Sequence, residues 1–178
     1  MRILKSILFL FSILWVSIAI GQNRFSIVQF SQHRAFINPA AITQNTDINA
    51  ATVFRKQWVG FQGSPTTSLF DVNGPIRSSN NYAGLSVVGD FLGVNQEIMV
   101  SGTYAYKAAI DRYSHISFAL SPSVVFLQSD LAAVNTDFSG DPSFAVNPNA
   151  VLPNVRFGAY YDAKYTFIGI SSPSLLTN

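Results

Sequence analysis

The sequence predicts an all-β protein whose chain runs as an antiparallel meander of about seven strands. Apolar side chains alternate with small or polar ones through most of the chain, as they do along a strand with one apolar face. Clusters of glycine, proline, asparagine and aspartate separate these runs at the short intervals typical of hairpins. After the first 21 residues, no segment has the spacing of an amphipathic helix or the ~18 unbroken apolar residues of a membrane helix.

Residues 1–21 have the features of a secretory signal peptide. Two cations near the start precede a long apolar stretch, and the small residues Ala19 and Gly21 stand where a signal peptidase cleaves. A transmembrane anchor is the alternative, because an apolar stretch of this length nearly spans a bilayer. We expect export through a cleaved signal peptide and one domain over residues 22–178, since domains of about 150 residues are typical.

The composition excludes several classes of protein. Only 11% of the 178 residues are charged, whereas soluble domains carry about 25%. Removing Arg2 and Lys5 from eleven lysines and arginines leaves nine, which balances the nine aspartates and glutamates. The neutral mature chain offers no basic surface for nucleic acid. Because the chain has no cysteine, disulfides, thiolate metal sites and a lipoprotein-type anchor are excluded as well.

Seven alternating runs define the predicted strands. Between Glu97 and Ala108, the even-numbered positions carry Ile, Val, Gly, Tyr, Tyr and Ala, and the odd-numbered positions are mainly small or polar. The two sets therefore lie on opposite faces of the strand. In chain order the predicted strands are Asn49–Trp58, Thr66–Val72, Asn81–Val88, Glu97–Ala108, Ser114–Leu127, Val155–Tyr161 and Tyr165–Ser171. The turns between them are Gln62–Pro65, Asn73–Pro75, Gly89–Asp90, Ile110–Arg112, a long polar loop from about Asp130 to Pro153, and Asp162–Ala163.

Two all-β architectures agree with these runs, a soluble β-sandwich and an outer-membrane β-barrel. A barrel strand has an apolar face toward lipid and a small or polar face toward the lumen, with aromatic residues near both interfaces. The runs 97–107 and 114–127 also reach the roughly 9–11 residues that a tilted spanning strand needs, whereas strands of soluble proteins are nearer 5–6 residues. The sequence therefore favours part of an outer-membrane β-barrel, with the secreted sandwich as the alternative.

Seven strands are too few for a closed barrel. Single-chain bacterial barrels have even strand numbers from eight upward, and an open sheet edge is not tolerated in lipid. The last residues, 172–178, have the composition of a turn. We therefore expect the chain to form the N-terminal part of an apparently incomplete barrel, or to receive the missing strands from elsewhere.

Several short motifs, taken in order, are similar to those of a known family. The most specific is RKQWVGFQGSP at residues 55–65. The others are Gln29–Gln32, Asn38–Ala40, Gly74–Ile76, Gly84–Val88, Tyr104–Lys107, Phe157–Tyr161, Ile168–Ser171 and Pro173–Leu176. In this order they resemble the PorP/SprF family, outer-membrane proteins of the type IX secretion and gliding machinery, and the resemblance runs through essentially the whole mature chain.

The resemblance implies a non-enzymatic role in the outer membrane. Proteins of this family work with the secretion apparatus, or with a large secreted adhesin that they help to export or to hold at the cell surface. The partners implied are therefore other type IX secretion components, a secreted adhesin or cargo protein, and outer-membrane lipid, without nucleic acid and without a cofactor. Because function is not fixed by fold, a passive outer-membrane pore and a secreted binding module stay as alternatives.

Residues 55–65 are also the densest group of candidate functional side chains. One interpretation is a partner-contact or lumen-lining patch near a membrane interface, where a tryptophan anchors and cations reach phosphates or carboxylates. The other interpretation is a structural strand end whose turn is shaped by glycine and proline. The candidate interface residues are Arg55, Lys56, Gln57, Trp58, Gly60, Phe61, Gly63 and Pro65.

The long polar loop from about Asp130 to Pro153 is the second candidate contact, through Asp137 and Asp141. We expect it on the extracellular side, where the loops of outer-membrane barrels are longer. Its alternating oxygen ligands are similar to a calcium loop, but the closing glutamate and the turn glycine are missing. The two histidines, His33 and His115, have no ligand-like spacing, and no catalytic motif is recognisable. We therefore expect neither a metal site nor enzymatic activity.

Overall fold

The computed structural model of the chain describes residues 33–77, 80–133 and 146–176. The predicted signal peptide lies outside these ranges, and so do the candidate loop residues Asp137 and Asp141.

The described chain consists of a short helical segment followed by seven strands. The helix α1 (Arg34–Ile37) leads into the 3-10 helix η1 (Pro39–Gln44), and a second 3-10 helix, η2 (Leu131–Ala133), follows the fifth strand. No helix within the described ranges is long and apolar enough to cross a membrane. The strands are β1 (Asn49–Lys56), β2 (Thr66–Pro75), β3 (Asn81–Leu92), β4 (Asn95–Ala109), β5 (His115–Ser129), β6 (Asn149–Ala163) and β7 (Thr166–Ser172).

The seven strands form one antiparallel sheet in chain order. Each strand pairs with the strands next to it in sequence, so that Leu69 of β2 lies opposite Val88 of β3, and Val88 lies opposite Met99 of β4. The sheet curls into a half-barrel with β1 and β7 at its edges. The predicted all-β meander of seven strands is therefore confirmed.

Each strand differs from its predicted bounds by at least one residue, and the largest differences have local reasons. The predicted turns Asn73–Pro75, Gly89–Asp90 and Asp162–Ala163 are wrong, because these residues lie inside β2, β3 and β6 and pair with the neighbouring strands. β1 ends before Trp58, because this residue has a backbone φ of 50°, which lies outside the range of an extended strand. β6 begins at Asn149 rather than at Val155, because it pairs with the far end of β5, where Gln128 lies opposite Asn149. Pro153 breaks the sequence pattern inside this extra length, since proline is rare within strands.

The two faces of the sheet differ in chemistry as the alternation predicts. On β4, the outward-facing Ile98 and Val100 are exposed, whereas the inward-facing Ser101 and Ala105 are fully buried. The outer face carries exposed apolar side chains across all seven strands, including Phe54, Phe70, Leu85, Ile98, Val100, Phe118, Leu120, Val124, Phe126, Val151, Ile168 and Ile170. Small and polar side chains are buried on the inner face, among them Thr67, Asn73, Ser86, Ser101, Ser117, Ser121, Ser123 and Asn154.

The inner face is covered by residues 33–45, which we call the inner segment. Its residues Ala40, Ala41 and Ile42 pack against Tyr82, Ala105, Ala119 and Tyr160 of the sheet and form the main buried cluster. A second cluster lies further along the inner face, where Phe36 of α1 packs against Leu69, Val88 and Met99. The core of the molecule therefore lies inside the curl of the sheet, and the apolar outer face has no protein layer over it in the described part of the chain.

Candidate functional site

Three connections between strands lie together at one end of the half-barrel. These connections, which we call the loop rim, are the β1–β2 loop (57–65), the β3–β4 turn (93–94) and the described ends of the β5–β6 connection (130–133 and 146–148). Backbone hydrogen bonds join neighbouring connections, since the Gly93 N–H donates to Gly63 O and the Asp130 N–H donates to Val94 O, both at 2.9 Å. The structure therefore brings the motif at 55–65 onto the same rim as the base of the long loop.

The two cations of the candidate motif, Arg55 and Lys56, lie at the rim end of β1 on opposite faces of the sheet. Arg55 pairs with the inward-facing Thr67, whereas Lys56 is exposed on the outer face. The Gln57 N–H then donates to Pro65 O at 2.9 Å and closes the loop. These contacts shape the loop, so the side chains available to a partner lie between Gln57 and Pro65.

The tip of the β1–β2 loop exposes three large apolar side chains within four residues. Trp58, Val59 and Phe61 are 68%, 83% and 76% exposed. The loop turns back on itself there, with the Phe61 N–H donating to Trp58 O at 3.1 Å. Positive φ angles at Gly60 and Gly63, 99° and 73°, permit this path, and Trp58 adopts a positive φ without being glycine. Such strain is concentrated at functional sites in proteins.

The base of the β5–β6 connection is fixed to the rim by one asparagine. The side chain of Asn147 donates to Asp130 Oδ1 at 2.8 Å and accepts from the Ala132 N–H at 2.9 Å. The Ser129 N–H also donates to Pro148 O at 3.1 Å. The described ends of the connection that carries the two candidate aspartates therefore lie on the rim, next to the β3–β4 turn.

Asn38 attaches the inner segment to the far edge of the sheet. Its Nδ2 donates to Ala159 O at 2.9 Å and to Ile170 O at 3.2 Å, while its Oδ1 accepts from the Ala40 N–H at 3.0 Å. The two carbonyls belong to β6 and β7, so one side chain joins both strands. Gly158 makes this approach possible, because a Cβ there would overlap Asn38 Oδ1.

The other end of the inner segment is held by polar contacts to the centre of the sheet. The Thr43 hydroxyl is hydrogen-bonded to the Ser117 hydroxyl at 2.8 Å, and the Lys107 ammonium donates to Thr43 O at 3.0 Å. Arg156, only 6% exposed, donates from Nη1 to Phe36 O at 3.1 Å and from Nη2 to Ser121 Oγ at 3.0 Å. Buried charges require such partners, so Arg156 fixes α1 over β5 and β6.

A cavity of about 240 Å³ remains between the inner segment and the sheet. Its lining includes His33, Asp71 and Arg156, and Asp71 accepts a hydrogen bond from Asn73. The amide Nε2 of Gln44 is buried there without a hydrogen-bond partner in the described part of the chain. The cavity is therefore polar and of mixed charge. No group of three or more metal-ligating side chains exists among the residues that the structure describes.

The motif Asn38–Ala40 is recognisable in the sequence, but no role for it follows from its residue types. The signal that could have revealed it is local: an Asn-Pro pair followed by small residues, and glycines on the inner face of the two last strands. Gly169 on β7, like Gly158 on β6, lies against the Asn38 side chain, since a Cβ there would come within 2.8 Å of Nδ2. Pairing these residues needs the tertiary structure, because more than a hundred residues separate them.

The family of the chain is shown by comparison with models of known protein families. Residues 19–178 match the family model described as the type IX secretion system membrane protein PorP/SprF. The chain belongs to the PorP/SprF family. The resemblance inferred from the motifs is therefore confirmed over the whole predicted mature chain, and the family description makes the protein a membrane component of type IX secretion. Comparisons with curated proteins and with solved structures give no significant match.

Proposed function

We propose that this chain is a non-enzymatic outer-membrane component of the type IX secretion and gliding machinery, and that its loop rim contacts a secreted adhesin or cargo protein. The observation that carries the proposal is the exposed apolar tip of the β1–β2 loop, on the same rim as the ends of the longest connection of the sheet. Exposed aromatic side chains in a row are typical of protein contacts. The family description supports the assignment to type IX secretion.

The orientation of the rim follows from loop lengths. The rim holds the β5–β6 connection at 130–148, whereas the opposite end holds the short β6–β7 turn at 164–165. Outer-membrane barrels have short periplasmic turns and longer extracellular loops. The rim is thus the extracellular end in this proposal, where the chain meets exported proteins.

The outer face supports the membrane location. A soluble sandwich would bury this apolar face under a second sheet, but the described strands form one sheet with the face uncovered. Fractionation tests the point: the chain sediments with outer membranes and is released by detergent. Recovery in the aqueous phase would favour the secreted binding module instead.

The contact role is tested by removing the apolar tip of the loop. In Trp58→Ala/Phe61→Ala, cargo held at the cell surface falls about tenfold or more, because exposed aromatic anchors dominate the energy of protein contacts. The control is Phe70→Ala/Leu85→Ala, which removes two exposed apolar side chains from the outer face and leaves surface cargo unchanged.

The amount of chain in the outer membrane is measured in parallel. The rim is supported as a contact surface if the wild type and the loop variant are present in equal amounts and surface cargo is reduced only in the variant. Unchanged surface cargo contradicts the proposal. Loss of the loop variant itself from the membrane also contradicts it, since the loop would then be an anchor in the membrane interface.

A further inference from the structure

The end of the half-barrel opposite the loop rim has an outward-facing cavity of about 430 Å³ between two turns. The β4–β5 turn (110–114) forms one wall and the β6–β7 turn (164–165) forms the other. We call this cavity the tyrosine pocket, because three tyrosines line it. Tyr161 reaches it from β6 on the same face as the lipid-facing Ile168 of β7, with which it pairs.

Two cations are arranged around the tyrosine pocket. Lys164 Nζ lies 5.0 Å from the ring centre of Tyr165 and 5.8 Å from that of Tyr113, so the ammonium is held between two rings by cation–π attraction. Arg112 lines the opposite side and is exposed. The two positive side chains therefore face a common space from separate turns.

The one carboxylate in the pocket is directed into its own turn. Asp111 Oδ1 accepts from the Tyr113 N–H at 2.7 Å and from the Ser114 N–H at 2.9 Å. A side-chain hydrogen bond from Ser114, followed by the backbone hydrogen bond from Tyr113, lowers the pKa of Asp111. The carboxylate thus caps the turn, and the pocket keeps an excess of one positive charge.

Exposed tyrosines mark the end of the sheet where the pocket lies. Tyr106 on β4, Tyr113 and Tyr165 are all exposed there, and a belt of tyrosines is typical of the boundary between hydrocarbon and headgroups, so we place the pocket at this depth. Lysine and arginine at this boundary extend toward the headgroups, where a phosphate is the group that accepts charge-assisted hydrogen bonds from both.

We propose that the tyrosine pocket binds the phosphate of a phospholipid headgroup between Arg112 and Lys164. This inference rests on the membrane location under the proposed function, and it adds a specific lipid site that the family assignment does not contain. A lipid satisfies the site better than free phosphate, because its acyl chains lie along the apolar outer face next to Tyr161 and Ile168.

The test compares retention of lipid by variants of the full chain. The chain is reconstituted in vesicles of phosphatidylcholine with phosphatidylglycerol, extracted in mild detergent, and analysed for bound lipid by native mass spectrometry. The test variant is Arg112→Gln/Lys164→Gln. The control is Arg77→Gln, which removes an exposed cation from the β2–β3 connection at the same end but outside the pocket.

Each cation near an anionic membrane surface contributes roughly fivefold to binding, so the double variant retains about 25-fold less phosphatidylglycerol than the wild type. Arg77→Gln retains the wild-type amount. Equal retention by the double variant and the wild type overturns the proposal. Displacement of the lipid by inorganic phosphate at equal concentration also overturns it, because the site would then be selective for a free anion.

The same preparation separates this inference from the proposed function. If all variants float with the vesicles and retain equal amounts of lipid, the lipid site is contradicted but the membrane location is not. If the wild type itself does not float, the membrane location fails, and the lipid site fails with it.

Discussion

Asn38 makes three hydrogen bonds from one buried side chain, and they join the inner segment to β6 and β7. In Asn38→Ala, the carbonyls of Ala159 and Ile170 and the Ala40 N–H lose the hydrogen bonds that Asn38 makes to them. The free energy of unfolding falls by about 2–3 kcal/mol, because buried polar groups without partners carry their full desolvation cost. Urea unfolding in detergent micelles, followed by circular dichroism, measures the change. Asn95→Ala at the exposed start of β4 is the control, and an equal loss there would contradict the role of Asn38.

Gly158 and Gly102 provide a test variant and its control for the packing of the inner segment against β6. In Gly158→Ala, the new Cβ overlaps Asn38 Oδ1 and lies 2.9 Å from Ala40 N, whereas a Cβ at Gly102 meets nothing within 4 Å. Forcing atoms into a packed site costs about 1–3 kcal/mol, and surface changes stay within about 0.5 kcal/mol. Melting in micelles distinguishes the two variants. If both variants melt alike, the inner segment does not pack against β6 as described.

At the scale of elements, β5 presents its two faces to different surroundings. Its outward-facing positions run from Ile116 to Gln128 and are apolar except at the rim end, while the inward-facing Ser117, Ala119 and Ser121 are buried. The alternation in the sequence predicts these faces because the side-chain period of a strand is fixed by its backbone. A membrane around the outer face makes the cost of a charge depend on its depth.

Arginine substitutions on β5 test this dependence on depth. Leu120→Arg, at the middle of the outer face, costs about 2–4 kcal/mol in a lipid bilayer, whereas Gln128→Arg, on the same face near the rim, costs about 0–1 kcal/mol. The free energy of unfolding from phosphatidylcholine vesicles measures both. A soluble sheet would tolerate the two substitutions equally, so equal costs would contradict the membrane-facing assignment.

The described part of the chain is a curled sheet whose inner face is covered by the inner segment. The inner segment contacts β4, β5 and β6 through Ile42, Thr43 and Asn38, so it occupies space inside the curl that a diffusion pore would need. We expect the purified chain in planar bilayers to show no steady conductance, because the lumen side is occupied. Brief openings become more frequent in Asn38→Ala. A steady open level in the wild type would instead favour the passive pore.

The sequence predicted the strands and the family better than it predicted the site. Every strand was found because alternation is a local property, and the RKQWVGFQGSP motif identified the family that residues 19–178 match. The boundary of β1 was missed because a positive φ at Trp58 is not visible in the residue type. The role of Asn38 was missed because its partners are carbonyls more than a hundred residues away. The contact role of Asp137 and Asp141 stays a prediction.

The all-β meander, the division into an apolar and a polar face, and membership of the PorP/SprF family all follow from the amino-acid sequence alone. These properties depend on side-chain types at short spacing along one chain, and the physics of a pleated strand converts them directly into faces. Only the tertiary structure decided that residues 33–45 lie inside the sheet, that Gly158 leaves room for Asn38, and which turns share an end. Such facts depend on the curl of the whole sheet, which brings distant residues together and which no local pattern encodes.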